Sequence, residues 1–564
     1  MKILLTAINS QYIHSNLAVR YLKSFTKDLP YDSKIREFSI NEMEEVILKE
    51  IILEKPDVVA FSVYIWNVLM VKRLTELIKR VNKDIEILYG GPEVSYDSKE
   101  FLEGVSGEYV IEGEGEETFR EFVLYKLSQE QVKVNKYIDK TKDIQNILGI
   151  HYKKDGKVYS NAKRLLMNMD DIPFPYEDNE DLSNKIVYYE GSRGCPFKCK
   201  YCLSSTSHGV RFHSIERVKK ELQYFINKEV KIVKFVDRTF NCKHKFAMAI
   251  CEFLINADTK THFHFEISAD ILRDEELELL RKAPKDRFQF EVGVQTTNDD
   301  VLKNINRFVN FSDIKDKVIE LLSIKNIKQH LDLIAGLPGE NYKSFVKSFN
   351  DVFLIKPEEI QLGFLKLLKG SDMLLEAKDY GMEYSPYPPY EVLKTDQISY
   401  FEILILKRVE KVVDKYYNSQ KFNNILDFFY YKFDTPFDFF YSLGNYFEEK
   451  GYFNRNIGNN QYYKVFLEFN KEILKGEEEY LVDIIKYDYL KYNKRRGIPD
   501  FLKGGVPKDT ELKIKEKFKG IYSFKECHIQ KYNIDIFKLI KQKELSIGTK
   551  YYINTPKGEI IEAL

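Results

Sequence analysis

Apolar positions set the first pattern of this chain. Residues 1–125 open with the short apolar run MKILLTAI, and apolar residues then recur at helical spacing through NLAVRYLKSF. Further runs follow at KIREFSI, DVVAFSV, DIEILYGG and EYVIEGEG, separated by helix-patterned segments such as NVLMVKRLTELIKRVN. Strands that alternate with helices predict a parallel sheet covered on both faces. In such a sheet the ligand sits beyond the carboxyl ends of the strands. Those ends read INSQYIHSN, SVYIWN, YGGPEVS and IEGEGEETF. They hold Ser62, Tyr64, Trp66, Gly90, Gly91, Glu112, Gly113, Glu114 and Gly115. Glycine there lets the backbone approach a ligand, and GEGEE leading into a helix presents free amides. One glycine at a strand end is as well explained by a tight turn. Four such ends on one sheet favour a ligand.

The pattern weakens over residues 126–184, which read as a linker: a lysine-rich exposed stretch, a hairpin turning at Asp155-Gly156, and MDDIPFPYED, whose prolines break regular structure. From Lys185 a second alternation runs to about residue 370. Its strand candidates are KIVYYEGS, VKIVKFVDRTFN, FHFEISAD, RFQFEVGVQTTN, KQHLDLIAGLPGE and EEIQLGFLKLL. Strand–helix units in this order predict a partial (β/α)6 barrel with its site at the strands' carboxyl ends. Residues 371–564 switch to aromatic-rich helical segments such as FNNILDFFYYKFDTPFDFFYSL, then to short basic strand-like pieces such as ECHIQKYN. Aromatic residues at helical spacing read as core, and a minority of them as lining for a substrate cavity.

The chain has 564 residues, room for several domains, and its 87 basic and 87 acidic side chains balance. That balance points to neither a nucleic-acid partner nor a membrane surface. The longest apolar stretch, DVVAFSVYIWNVLMV, is too short to cross a bilayer. No secretory signal opens the chain, so a reducing cytoplasm is expected. Six cysteines with one tight cluster are not a disulfide framework.

That cluster is Cys195, Cys199 and Cys202 in YEGSRGCPFKCKYC, directly after the first barrel strand. Thiolates bind zinc, copper and iron–sulfur clusters. A structural zinc site takes four ligands, usually as two separated pairs, and Cys242 and Cys251 do not form such a pair. Three cysteines on a 4Fe–4S cluster instead leave one iron open to a small molecule. Gly194 and Pro196 supply the tight backbone, and a lone Cys527 reads as structural.

CPFKCKYC is similar to the CxxxCxφC signature of the radical S-adenosylmethionine superfamily, with Tyr201 as the aromatic residue. EVGVQTTN and LIAGLPGE resemble that superfamily's fourth- and fifth-strand motifs. SVYIWN, YGGPEVS and EGEGEETF resemble the Rossmann-like cobalamin-binding domain fused to such barrels. The resemblance covers about residues 1–370. It implies an α/β chain with three cofactors: a 4Fe–4S cluster on Cys195, Cys199 and Cys202, S-adenosylmethionine, and cobalamin. In the family the open iron chelates the amino and carboxylate groups of S-adenosylmethionine, and one electron then releases a 5′-deoxyadenosyl radical. By resemblance, the Tyr201 backbone meets the adenine. Glu291, Gln295 and Thr296 lie near the ribose or methionine moiety, and the turn Gly336, Leu337, Pro338 to Glu340 lies on the adenine side.

Where many members carry Gly-Gly-Glu after the second strand, this chain has FVDRTFN, so Asp237 or Asn241 is the substitute. The D-x-H-x-x-G motif that gives cobalt a histidine elsewhere is absent. His14 has the wrong spacing for it and reads as a local polar contact or a surface residue. Trp66 either packs on the corrin or anchors the next helix.

The implied activity is radical functionalisation of an unactivated carbon, with methyl transfer the commonest outcome and cyclisation or rearrangement its near rival. The substrate is a small molecule or peptide of unknown identity, and the electron donor a protein such as flavodoxin or ferredoxin. Methylthiotransferases need further cluster cysteines in the N-terminal domain, and no cysteine precedes Cys195. A non-catalytic sensor has no use for EVGVQ and GLPGE.

Overall fold

The computed structural model describes residues 1–130, 143–177, 180–206, 209–476, 480–493 and 497–564. The lysine-rich stretch expected after residue 126 falls largely outside them. Two compact units are distinguished, residues 1–341 with 363–399, and residues 342–362 with 400–564.

The first unit begins with strands β1 (Lys2–Asn9), β2 (Asp32–Ser39), β3 (Val58–Ser62), β4 (Glu86–Gly90) and β5 (Tyr109–Ile111), all paired in parallel. Helices α1 (Leu17–Phe25), α2 (Glu44–Leu53), α3 (Val68–Val81), α4 (Ser98–Glu103) and α5 (Glu116–Gln129) alternate with them. The strands are apolar on both sides because both sides are covered. Val59, Phe61 and Ile87 pack in one layer, and Val58, Ala60 and Leu88 in the other with Phe119 and Phe122. The order β2-β1-β3-β4-β5 reverses at β1, so the carboxyl ends of β1 and β3 diverge and leave a crevice.

Strands β6 (Ile150–Lys154) and β7 (Lys157–Ser160) form the hairpin read from Asp155-Gly156. The hairpin is no free linker, however. It continues the sheet antiparallel to β5, because Ile150 and Tyr152 complete the apolar layer over Phe119 and Phe122.

The second sheet holds β8 (Ile186–Tyr189), β11 (Ile232–Phe235), β12 (His262–Ile267), β13 (Phe288–Gln295), β14 (Lys328–Ala335) and, at its far edge, β15 (Glu359–Phe364). A separate antiparallel pair, β9 (Ser192–Gly194) and β10 (Val210–Phe212), closes the neck of the cysteine loop. Helices α6 (Ile215–Asn227), α7 (His244–Asn256), α8 (Asp274–Leu280), α9 (Asp299–Asn304) and α10 (Phe311–Ile324) connect the strands.

Along β11 to β14 one set of side chains is fully apolar and buried: Val233, Phe235, Phe263, Phe265, Phe290, Val292, Leu331 and Leu333. The alternate set is polar: Lys234, His264, Glu266, Glu291, His330 and Asp332. A closed eightfold barrel fills its interior with branched apolar residues. This one lines its concave side with charge, and that keeps it open to polar ligands.

Residues 363–399 stay with the first unit, although the pattern assigned 371–399 to the C-terminal region. Leu365, Leu367, Met373 and Val392 pack with Leu302, Leu337 and Tyr201, and Lys200 reaches Glu376 Oε2 at 2.7 Å. This strap covers the outside of the cysteine loop.

The second unit is mostly helical. Its main helices are Tyr400–Val412, Pro436–Glu449, Asn459–Glu472 and Tyr480–Tyr492 around a cluster of rings in stacked and edge-to-face contact, Tyr416, Phe429, Phe439, Phe466 and Phe469. A three-stranded antiparallel sheet, His528–Ile534, Ile547–Asn554 and Ile560–Glu562, ends it. Cys527 packs there with Ile514 and Ile553.

The parallel sheet and the barrel meet at Arg193. Its Nε donates to Glu190 Oε2 at 2.8 Å and its Nη2 to Glu116 Oε1 at 2.6 Å, and Nη1 lies 3.7 Å from Glu114 Oε2. Burial works against the guanidinium's charge, but Glu190 and Glu116 overcome it and hold its pKa well above the usual value. Arg193→Ala leaves those carboxylates buried without their cation, and a loss of about 3–5 kcal/mol is expected in denaturant unfolding. Arg193→Lys should recover only part, because an ammonium lacks the guanidinium fork. An unfolding midpoint unchanged in Arg193→Ala contradicts this account.

Candidate functional site

Two cavities open at the carboxyl ends of the two sheets. The larger, of about 580 Å³, lies over the crevice beside β1. Its walls include Ser62, Tyr64, Trp66, Gly90, Gly91, Gly113, Glu114 and Gly115 from the sheet side, and Tyr188, Glu190, Arg193, Val236 and Arg238 from the barrel side. This volume is in the range of cofactor sites.

Asn67 shapes the loop after β3. Its amide donates to Ile8 O at 2.9 Å and to Ser62 O at 3.0 Å, and its oxygen accepts from Tyr64 N at 2.8 Å. So held, Tyr64 and Trp66 stack at 4.4 Å with an 8° tilt, and Trp66 Nε1 donates to Ile8 O at 3.0 Å. Trp66 therefore both anchors its loop and lines the cavity. His14 also lines the cavity, with Nδ1 2.8 Å from the Tyr188 hydroxyl. Burial, helped by Lys234 and Lys185, lowers its pKa and favours the neutral ring.

Glu112 is the exception among the expected cavity residues. It turns away to His151 Nε2 at 3.0 Å and Lys163 Nζ at 2.7 Å, and these partners hold its pKa down against burial. The cavity fits a large planar cofactor. At Gly113, φ is +75° and an added Cβ would meet nothing within 4 Å, so glycine is required there by the backbone and the space above it is open.

The smaller cavity, of about 160 Å³, is lined by Cys195, Cys199 and Cys202 together with Tyr201, Glu291 and Gln295. The cysteine loop is pinched at its neck, where Gly194 has φ +101° and an added Cβ would stand 2.2 Å from Gly209 O. Burial raises the Cys199 thiol, and Arg307 Nη1, 3.9 Å from its sulfur, works against that rise. Arg307 also donates to Gly293 O at 2.6 Å, and its buried Nε has no hydrogen-bond partner. A spare buried donor beside three thiols suits a negatively charged group.

Among the described residues, no group of three His, Cys, Asp or Glu side chains closes on a single metal ion. A cubane spreads its thiolates over separate irons, so cysteines that share a cavity without converging on one point fit a cluster better than zinc.

Gln295 reaches the cavity through backbone distortion. The pairing of β13 with β14 slips between Gly293 and Gln295, and Gln295 has φ +69°. A bulge of this kind re-aims the side chain at a strand end. Glu291 is held by His264 Nε2 at 3.1 Å and Lys234 Nζ at 3.3 Å, which outweigh burial and lower its pKa.

Six expected residues lie outside this cavity. Asp237 accepts from Gly191 N at 2.8 Å and Ser192 Oγ at 2.6 Å, which makes it a clamp at the root of the cysteine loop. Asn241, its alternative, is paired with Ser268 through both its amide and its oxygen. Thr296 is buried on Glu340 Oε1 at 2.6 Å. Leu337 belongs to the core beneath the strap, Gly336 faces Val392, and Pro338 O accepts from Asn304 Nδ2 at 3.0 Å. The turn after β14 packs on the strap and not on the cavity.

Arg193, Glu190, Arg238, Glu266 and Arg307 were not foreseen. Arg193 and Arg238 directly flank singled-out positions, and their charge was the available signal. Arg307 comes from past α9, with no local pattern to mark it.

Cavities at the switch point of a parallel sheet and at the mouth of a polar half-barrel define an α/β class with two ligand sites. Residues 3–123 match the family model of the B12 binding domain, and residues 189–352 that of the radical SAM superfamily. Residues 378–553 match a family described as a protein of unknown function, DUF4080. The chain thus joins a B12 binding domain to a radical SAM domain, whose cofactors are cobalamin, a 4Fe–4S cluster and S-adenosylmethionine.

An uncharacterized methyltransferase of Pyrococcus horikoshii is 29% identical over 250 residues, 42% of this chain and 51% of that protein. The cobalamin-dependent radical SAM methyltransferase TokK of Streptomyces tokunonensis is 26% identical over 325 residues, 52% of this chain and 44% of that protein. The chain thus spans about half the length of these curated relatives. The radical S-adenosylmethionine methyltransferase TsrM from Kitasatospora setae, solved with cobalamin and a [4Fe-4S] cluster, shares the fold. Its TM-score is 0.55 at 14% identity, over 69% of this chain and 78% of that one. No helix among the described residues is long and apolar enough to cross a membrane.

Burial pushes Asp237 up to about 7, although its bonds to Ser192 and Gly191 pull the other way. Its contribution to stability is therefore full below pH ~4 and lost as pH rises through about 7. Asp237→Asn stays neutral throughout, so its unfolding midpoint should fall less between pH 4 and 7 than that of wild type. Parallel pH profiles for the two proteins would show that Asp237 does not titrate in this window.

Proposed function

We propose that this chain is a cobalamin-dependent radical S-adenosylmethionine enzyme that transfers a methyl group to an unactivated carbon. One observation carries the reading: the loop after β11 borders both cavities, with Val236 and Arg238 on the larger and Arg238 and Thr239 on the smaller. A group in one cavity therefore lies next to a group in the other, with this loop between them.

In this reading Cys195, Cys199 and Cys202 hold the cluster, with Thr239 Oγ1 3.6 Å from the Cys195 sulfur. Tyr201, Glu291 and Gln295 surround S-adenosylmethionine. Ser62, Tyr64, Trp66, Gly90, Gly91, Gly113, Glu114 and Gly115 receive cobalamin. When bound, these groups supply hydrogen-atom abstraction and a transferable methyl group.

The chain's own part is positioning and protection. Arg307 offsets the negative charge of the thiolates from a buried position. Its guanidinium lies 6.0 Å from the ring of Phe197, which helps to close the cysteine side against water. The stacked Tyr64 and Trp66 present a flat, rigid wall, and the bulge fixes Gln295 before any ligand arrives. An electron-carrier protein delivers reducing equivalents, and the acceptor is a small molecule or peptide.

The test is anaerobic turnover of reduced, cofactor-loaded protein with S-adenosylmethionine labelled in its methyl group. Methyl transfer yields both S-adenosylhomocysteine and 5′-deoxyadenosine. Formation of 5′-deoxyadenosine without S-adenosylhomocysteine overturns methylation in favour of a rearrangement or cyclisation. Formation of neither overturns the reading as a whole. Cys195, Cys199 and Cys202 exchanged together for alanine should remove iron and 5′-deoxyadenosine formation while cobalamin stays bound. Iron content unchanged in that variant contradicts the cluster assignment.

A further inference from the structure

The strap covers the cysteine loop only in part. Tyr201 packs beneath it and Lys200 reaches its Glu376, but Pro196 and Lys198 of the same loop stay exposed. Residues 305–308 run along this uncovered part. Lys200 N donates to Ile305 O at 3.0 Å, and Asn306 Nδ2 donates to Lys198 O at 2.7 Å. Arg307 is buried with its Nη1 3.9 Å from the Cys199 sulfur, whereas the next residue, Phe308, is 79% exposed. The wall is therefore thin here. Cys199 is buried, yet Lys198, its neighbour in sequence, already stands at the surface.

The charges around this window are unevenly matched. Lys198 makes no ion pair and no side-chain hydrogen bond to another described residue. At the neck of the same loop the exposed Lys243 lies 4.8 Å from the ring of Phe212 in β10, and it too has no carboxylate partner among the described residues. The acids of the strap act on Lys200 instead: Glu376 bonds it at 2.7 Å and, with Asp372, raises its pKa. One unpaired lysine is ordinary solvated surface. An unpaired lysine beside an exposed phenyl ring, one residue from a cluster thiol, is a more specific arrangement.

We propose that Lys198 and Phe308 form the docking face of the electron carrier, a small protein whose redox centre is rimmed by acidic side chains, with Lys243 as an outlying cation that steers it. The proposal rests on the proposed function, in which Cys199 holds the cluster and S-adenosylmethionine fills the barrel side. An electron then has to enter from the solvent side of the cysteine loop, where the strap leaves it bare. Electron-transfer encounters bury less than about 1,200 Å² in all, so a small window suffices. Opposite charge sets the rate of such encounters more than their affinity.

The experiment mixes cobalamin- and cluster-loaded protein anaerobically with purified flavodoxin in its hydroquinone form. S-adenosylmethionine is left out so that the reduced cluster accumulates, and rapid-freeze electron paramagnetic resonance follows its signal. Wild type should be reduced at a rate that falls as salt rises, because salt screens exposed charges. Lys198→Glu should slow that reduction by ~10-fold or more and weaken its salt dependence. Phe308→Ser should slow it with the salt dependence kept, and Lys198→Arg should keep the wild-type rate. Reduced methyl viologen, a small cation, should reduce all four proteins without loss of rate, which shows that their clusters are intact.

Four results overturn the proposal: a wild type that the flavodoxin does not reduce, an unchanged rate in Lys198→Glu, a Lys198→Arg as slow as Lys198→Glu, or a matching loss with methyl viologen. Failure here is separable from failure of the proposed function. A wild type that forms 5′-deoxyadenosine and S-adenosylhomocysteine with methyl viologen, yet is not reduced through this face, refutes only the docking site.

Discussion

The buried ion cluster around Arg193 is the constraint on which the rest depends. One guanidinium holds Glu190 of the barrel and Glu116 at the start of α5, and Arg211 backs Glu114 from the other side of the loop's neck with Nη1 3.2 Å from Oε2. Arg193 and Arg211 face each other across the β9–β10 pair, so the hairpin that closes the cysteine loop is also the joint between sheet and barrel. Charges buried this deeply fix geometry more than they add stability, because their attraction first has to offset desolvation. Here the geometry is the functional requirement. The loop that presents three thiols cannot shift without breaking its hold on the domain that carries the other cavity.

From that joint the chemistry follows in order. Asp237 fastens the root of the cysteine loop, and the next two residues, Arg238 and Thr239, are delivered to the space between the cavities. The concave side of the barrel carries Lys234, His264, Glu266, Glu291, His330 and Asp332 in place of apolar packing, which leaves room for polar ligands. The apolar packing is on the opposite face of the same strands, where Phe235, Phe263, Phe265 and Phe290 are buried.

Much of this was legible in the sequence because the signals were local. Alternating strands and helices gave both sheets, and the spacing of Cys195, Cys199 and Cys202 marked the loop. Side chains that depend on distant partners were not legible. Glu112 sits in the same glycine-rich stretch as Glu114, but His151 from the added hairpin draws it away. Thr296 and the turn from Gly336 carry a familiar pattern, yet Glu340 and the strap residue Val392 take up their contacts. The hairpin read as linker because its amphipathic strands are short, and only its packing into the buried apolar layer with Phe119 and Phe122 makes it part of the sheet. Arg307 approaches Cys199 across more than a hundred residues of sequence, a distance no local pattern bridges.

The central claim is that the two cavities hold their cofactors side by side, joined by the loop that bears Arg238. Electron paramagnetic resonance tests it most directly, through the relaxation of the cobalt(II) signal in protein loaded with both cobalamin and the cluster. The account predicts that cobalt(II) relaxes faster once the cluster is reduced and paramagnetic, and that this effect disappears when Cys195, Cys199 and Cys202 are replaced. Identical cobalt relaxation with the cluster oxidised and reduced would contradict it.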